Sequence, residues 1–156
     1  MRRKDREVTD PAEIDRVIRA CACCRIGLNA PEGAYIVPLS FGFSHEGGVR
    51  VFHFHGARDG RKMDLMAQSP AAGFEMDTGY ELRLSADACE CSAGFKSVIG
   101  TGVLSVVEDR AEKARSLDLL MEQAGGKGTG EYPDAMLART AVFRLTVKDV
   151  SCKFHP

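Results

Sequence analysis

His53 and His55 stand one residue apart at the end of an apolar run, and an Asp59-Gly60 pair then leads into Arg61 and Lys62, in the stretch "HFHGARDGRK". Side chains alternate along a strand, so both histidines point to one face and Phe52 and Phe54 to the other. If Asp59 caps a helix, Gly60, Arg61 and Lys62 occupy its first turn. Free backbone N–H groups and the positive end of the helix dipole favour an anion there. Two cations at that end are unfavourable by roughly a few tenths of a kcal/mol unless a negative group sits among them, and phosphate is the usual one. Arginine holds it bidentately, lysine as a point charge. On the residues alone, a phosphate cradle and a solvated Arg-Lys pair stand level. For His53 a core or rim position is the preferred reading.

These residues need elements to hold them. "DPAEIDRVIRAC" predicts a short amphipathic helix across the sheet edge, with Asp10 as cap, Pro11 in the first turn and Ile14, Val17 and Ile18 on one face. "CCRIGLN", "AYIVPLSFGF" and "VRVFHFH" read as a meander of three antiparallel strands joined by glycine-bearing turns. Pro38 cannot donate to a ladder, so its strand lies at an edge or carries a bulge. "GRKMDLMAQSP" predicts a helix ending before Pro70, and "AAGFEMDTGYELRLS" two strands in a hairpin around "DTG". "GFKSVIGTGVLSVVED" is a long strand whose glycines permit bending or close approach. "DRAEKARSLDLLMEQAGG" is a helix capped by Asp109, "GKGTGEYPDA" a loop, and "RTAVFRLTVKDVSCKF" an alternating last strand. The expected fold is α+β: a small, mostly antiparallel barrel of six or seven strands with flanking helices, in one domain spanning 1–156.

Composition narrows the function classes. With 44% hydrophobic residues, 28% charged residues and a net charge of -1, no global field favours nucleic acid or an anionic membrane. No apolar run approaches the roughly 20 residues that cross a bilayer, and the charged start "MRRKDREVTD" has no apolar stretch after it, so a cytoplasmic protein is expected. Six cysteines occupy positions 21, 23, 24, 89, 91 and 152. Their one-residue spacings do not suit structural zinc, so "CACC" and "CEC" read as packing residues and no metal is expected. "GTG" lies inside a strand and "GGKGTG" lacks a following Lys-Ser/Thr pair, so neither is a dinucleotide or phosphate loop.

"YIVPLSFGF", "VFHFHGARDGRKMDLM", "FKSVIGTGVLSVVED" with "EKARSLDLLM", and "TAVFRLTVKDVSCK" together resemble the pyridoxamine 5'-phosphate oxidase-like flavoproteins, most closely their nitroimidazole-reductase branch, which the opening "MRRKDREV" also fits. The resemblance implies a split β-barrel homodimer with flavin mononucleotide (FMN) at the subunit interface. It assigns the backbone and side chains of Pro38, Leu39, Ser40 and Phe41 to the flavin ring, and His55 and Gly56 to the ring or ribityl region. Arg61 and Lys62 fall to the phosphate, Ser97 and Val98 to the ribityl phosphate. Gly56 departs from the branch, where Ser is more usual, and a hydroxyl contact is lost. The implied activity is electron or hydride transfer from a nicotinamide donor to a small organic acceptor such as a nitroimidazole. His55 is then the candidate proton donor, or a residue that positions the cofactor. The alternatives are a non-catalytic flavin- or haem-binding protein, with His45, His53 and His155 as axial ligands, and a thiol or metal sensor built on the cysteines.

Overall fold

Asp10 opens the first helix as its spacing predicts. In the computed structural model, which describes residues 3–156, its carboxylate accepts from the Ala12 amide at 3.0 Å. The first two residues of "MRRKDREV" lie outside the described residues. Helix α1 (Pro11–Ala20) buries Ile14, Val17 and Ile18. It packs on central strands as well as an edge, which is broader contact than a helix lying across one edge would make.

Two hairpins follow, β2 (Cys24–Ala30) with β3 (Gly33–Leu39) and β4 (Gly42–Glu46) with β5 (Val49–Ala57). Helix α2 (Arg61–Gln68) leads to the long strands β6 (Ala71–Arg83) and β7 (Ser92–Val107). Helices α3 (Arg110–Gln123) and α4 (Asp134–Arg139) precede β8 (Thr140–His155), on which the short β1 (Glu7–Val8) pairs. The sheet order is β3-β2-β6-β7-β8-β5-β4, antiparallel at every ladder.

The expected three-strand meander does not form. "AYIVPLSFGF" breaks at Ser40-Phe41 into β3 and β4, which sit at opposite edges of the sheet. The link from Leu39 to Gly42 reaches only about 10 Å when extended. The sheet therefore curls until its edges approach, yet they do not pair: this is a split barrel of the α+β class. Pro38 lies on edge strand β3, where a missing donor breaks no inner ladder.

Two further expectations change. "AAGFEMDTGYELRLS" is one strand, because Gly79 at φ +65° sits in a register shift between Thr78 and Glu81 and makes a bulge where a hairpin turn was expected. The described residues thus hold eight strands, counting β1, and four helices, α4 having been read as the end of a loop. The barrel interior is aromatic: Phe52 meets Phe41, Phe43 and Phe74 with centroids 5.7, 5.8 and 5.0 Å away. Val107, Leu117, Leu120, Leu137 and Val142 form a second cluster under α3 and α4.

Cys21, Cys24 and Cys152 belong to the main core. Burial pushes the Cys21 thiol up to about 12, and raises Cys24 and Cys152 as well. The packing reading fails for "CEC". Cys89 and Cys91 are exposed in the β6–β7 connection, where Asp87 accepts from the Cys89 amide at 2.9 Å and the Cys91 sulfur accepts from the Ser85 amide at 3.4 Å. A maleimide applied to the native protein should therefore label Cys89 and Cys91 and spare the three buried thiols until denaturant is added. Labelling of Cys21 or Cys24 at the same rate, read by peptide mass spectrometry, would contradict this packing. Among the described residues no helix is long and apolar enough to cross a membrane.

Candidate functional site

Gly60, and not Asp59, is the N-cap of α2. It sits at φ +115°, and no side chain caps the helix. That backbone region suits glycine alone, so the turn needs Gly60 and leaves Asp59 outside it. The Gly60 carbonyl accepts from the Met63 and Asp64 amides at 2.8 and 3.2 Å. Arg61 and Lys62 hold the first two helical positions, where backbone donors have no partner within the helix.

The two cations diverge. Arg61 pairs with Glu32 and lies 4.8 Å over the Tyr35 ring, facing the β2–β3 turn. Lys62 reaches the other way, its Nζ 4.8 Å from the centroid of Phe143. Among the described residues it has no carboxylate partner within ion-pair distance. A Cβ on Gly56 would stand 2.7 Å from that nitrogen, so the missing side chain at Gly56 is the space Lys62 uses. Partial burial lowers the Lys62 pKa, as expected for a cation without an acid beside it.

Gly42 pairs with His53, so the chain running back from it through Phe41 and Ser40 continues alongside His55. His55 is exposed, Pro38 and Ser40 are exposed, and Leu39 is half-buried. Phe41 is only 1% exposed and packs edge-on against Phe52, so its ring belongs to the core and only its backbone is free. Val98 likewise points inward at 0% exposure, with Ser97 half-buried beside it. His55 lies opposite Val142 and Ser97 opposite Lys153, so the two groups are at opposite ends of β8. One chain therefore brings Ser40, His55, Gly56 and Lys62 to one end of β5, with His55 on the Val142 face and Lys62 on the Phe143 face, and sets Ser97 and Val98 apart.

His53 faces away from the barrel interior, beneath α3. Its Nε2 meets Ser44 Oγ and its Nδ1 meets Ser116 Oγ, each at 3.0 Å. At 7% exposure, burial first and then Arg144 and Arg115 lower its pKa to about 4. No spacing in the sequence links residues 44, 53 and 116. Both ring nitrogens are engaged, so His53 has none left for a haem iron. His45 is held by Asp15 through Nδ1 alone, at 2.5 Å, while His155 lies edge-on to Phe95.

An unfolded histidine titrates near 6.5. Because His53 is harder to protonate in the folded chain, the unfolded state binds more protons between pH 6.5 and 4, and stability falls as pH drops through that window. The full loss is about 3 kcal/mol. Melts at pH 7 and pH 4.5 should show His53→Gln losing less stability on acidification than the parent. An equal loss in both would remove His53 as the cause.

A family model described as pyridoxamine 5'-phosphate oxidase matches residues 10–154. No curated protein matches at a significant level. Among solved structures, a candidate 5-nitroimidazole antibiotic resistance protein from Bacteroides thetaiotaomicron is 23% identical, with TM-score 0.81 over 94% of this chain and 85% of that one. A flavocytochrome from Azotobacter vinelandii is 18% identical, TM-score 0.79, covering 100% of this chain and 72% of the other. A protein from Mycobacterium smegmatis that binds FAD and haem is 17% identical, TM-score 0.74, over 96% and 73% of the two chains. These likenesses establish a shared fold.

Proposed function

Because the chain belongs to the pyridoxamine 5'-phosphate oxidase family, we propose that it binds FMN between two copies of itself and acts as an oxidoreductase on a small organic acceptor. The acceptor class is nitroimidazoles and other nitroaromatics, with a nicotinamide electron donor; the likeness to the Bacteroides protein supports that choice. The observation that carries the cofactor reading is Lys62, a half-buried cation without a carboxylate, over the open Cβ space of Gly56 at a helix N-terminus.

The residues fit a phosphate there. Lys62 and the free amides of α2 bind it, and Arg61 joins by leaving the exposed Glu32. When bound, the flavin supplies electron transfer. Pro38, Leu39, Ser40 and the Phe41 backbone orient its ring beside His55. That exposed imidazole donates a hydrogen bond or a proton to the acceptor. Ser97 and Val98 serve the site of the opposing copy, since their own chain holds them at the far end of β8. The second reading, a flavin or haem carrier without turnover, draws on the two flavin- and haem-binding structures.

The test combines FMN titration, light scattering and visible spectra with aerobic and anaerobic turnover across nicotinamide donors and nitroaromatics. A flavin-loaded dimer that turns over supports the proposal. A stable monomer holding stoichiometric FMN sinks the shared site, and a loaded dimer without turnover for any acceptor favours the carrier.

A further inference from the structure

Lys113 is 6% exposed, yet lysine is among the residue types least often buried unless paired. Its carboxylate contact is Glu108 Oε2, 3.5 Å away, on a side chain 68% exposed. The same oxygen also faces Arg58, at 3.8 Å. Two cations thus share one distant, solvent-facing carboxylate, which leaves one positive charge uncompensated. Lys113 also sits in the first turns of α3, where the helix dipole adds to that charge.

These three groups rim a cavity of about 170 Å³ between α2, β7, β8 and the start of α3. Its remaining walls are Met63, Val106, Ala141 and Val142, all apolar. The cavity lies on the opposite side of the sheet from Phe143, on which Lys62 rests, since Val142 and Phe143 alternate along β8. It is therefore across the sheet from Lys62 and Gly56, on the face that carries His55, which pairs with Val142.

We propose that this cavity binds a short-chain monocarboxylate. The head takes the place Glu108 holds weakly between Lys113 and Arg58, and the alkyl tail lies on Val106 and Val142. The charge balance selects a monoanion: two cations and one carboxylate sum to +1. The apolar walls select a tail, which an inorganic anion lacks. Since Glu108 and the ligand compete for the same two cations, removing the Glu108 charge strengthens binding.

Butyrate titrated by calorimetry into the protein as purified tests this, with inorganic phosphate as the comparison anion. Saturable butyrate binding is expected, with phosphate weaker. Lys113→Met keeps the length of the side chain and should weaken butyrate about tenfold or more, the loss of one charge-assisted contact. The exposed Arg58→Gln should weaken it several-fold, and it guards against a folding defect in the buried variant. Glu108→Gln should tighten binding, a direction that a purely structural role for these groups does not produce. Absence of butyrate binding, phosphate binding as tightly as butyrate, unchanged affinity in Lys113→Met and Arg58→Gln, or weaker affinity in Glu108→Gln would each overturn the proposal.

Discussion

Replacing Arg61 and Lys62 together by alanine lowers FMN affinity by one to several decades and leaves riboflavin affinity unchanged. Each charge-assisted contact to phosphate contributes about 1.5–3 kcal/mol, and every 1.4 kcal/mol is about tenfold. Riboflavin lacks the phosphate, so a cycle over two ligands and two proteins isolates that contribution. The geometry further divides the pair. Among the described residues Lys62 has no carboxylate to give up, only its contact with the Phe143 ring, whereas Arg61 must leave both Glu32 and the Tyr35 ring. An exposed ion pair and an exposed cation–π contact are each worth about 0.5–1 kcal/mol. Lys62→Ala should thus cost more than Arg61→Ala, and Glu32→Gln should tighten FMN slightly. The apo double variant should melt close to the parent, because relieving two cations at the positive end of α2 offsets the lost contacts with Glu32, Tyr35 and Phe143. Fluorescence titration decides it. If the double variant binds FMN like the parent, Arg61 and Lys62 are a solvated helix end and the phosphate lies elsewhere.

What was legible in the sequence was local. Asp10 and Asp109 cap their helices, Ile14, Val17 and Ile18 face inward, and β8 alternates, because capping and periodicity act within a few residues. Pro38 announced an edge or a bulge for the same reason, and β3 is an edge strand. Non-local pairing was not legible. Nothing in "AYIVPLSFGF" says that its halves end on opposite edges, since both are apolar and the break at Ser40-Phe41 is imposed by curling of the sheet. At the site, the Arg61-Lys62 pair was visible as charge against a helix dipole, but the divergence of its members was not. It depends on Glu32 and Tyr35 in one hairpin and on Gly56 and Phe143 in two other strands. The cap at Gly60 was misread because Asp is a common cap residue, and only the backbone angle reveals that glycine is required.

Gly100→Ala and Gly102→Ala should each destabilise the fold by about 3 kcal/mol, the upper end of ordinary overpacking. The "GTG" of β7 has nothing to do with a nucleotide loop; its glycines make room for β8. A Cβ on Gly100 would run into the Asp149 carbonyl oxygen and stand 2.6 Å from Phe74 Cζ. On Gly102 it would strike the Leu145 side chain and lie 2.7 Å from the Thr146 carbonyl oxygen. Those backbone oxygens cannot turn aside as a flexible side-chain end can. The two glycines flank the register shift between Thr101 and Gly102, where β8 carries an extra residue between Val147 and Asp149. Filling either position should force the strands apart at the bulge in β8. Exposed Thr101, between them, is the control, and Thr101→Ala should change stability by no more than about 0.5 kcal/mol. For a chain of this size, 3 kcal/mol corresponds to a Tm lower by roughly 6–12 °C. Since parting β7 from β8 also displaces Ser97 and Val98, which the proposed function gives to the cofactor, both glycine variants should lose FMN affinity even at temperatures where they remain folded. A Gly100→Ala protein that melts with the parent would mean that β7 and β8 do not approach this closely.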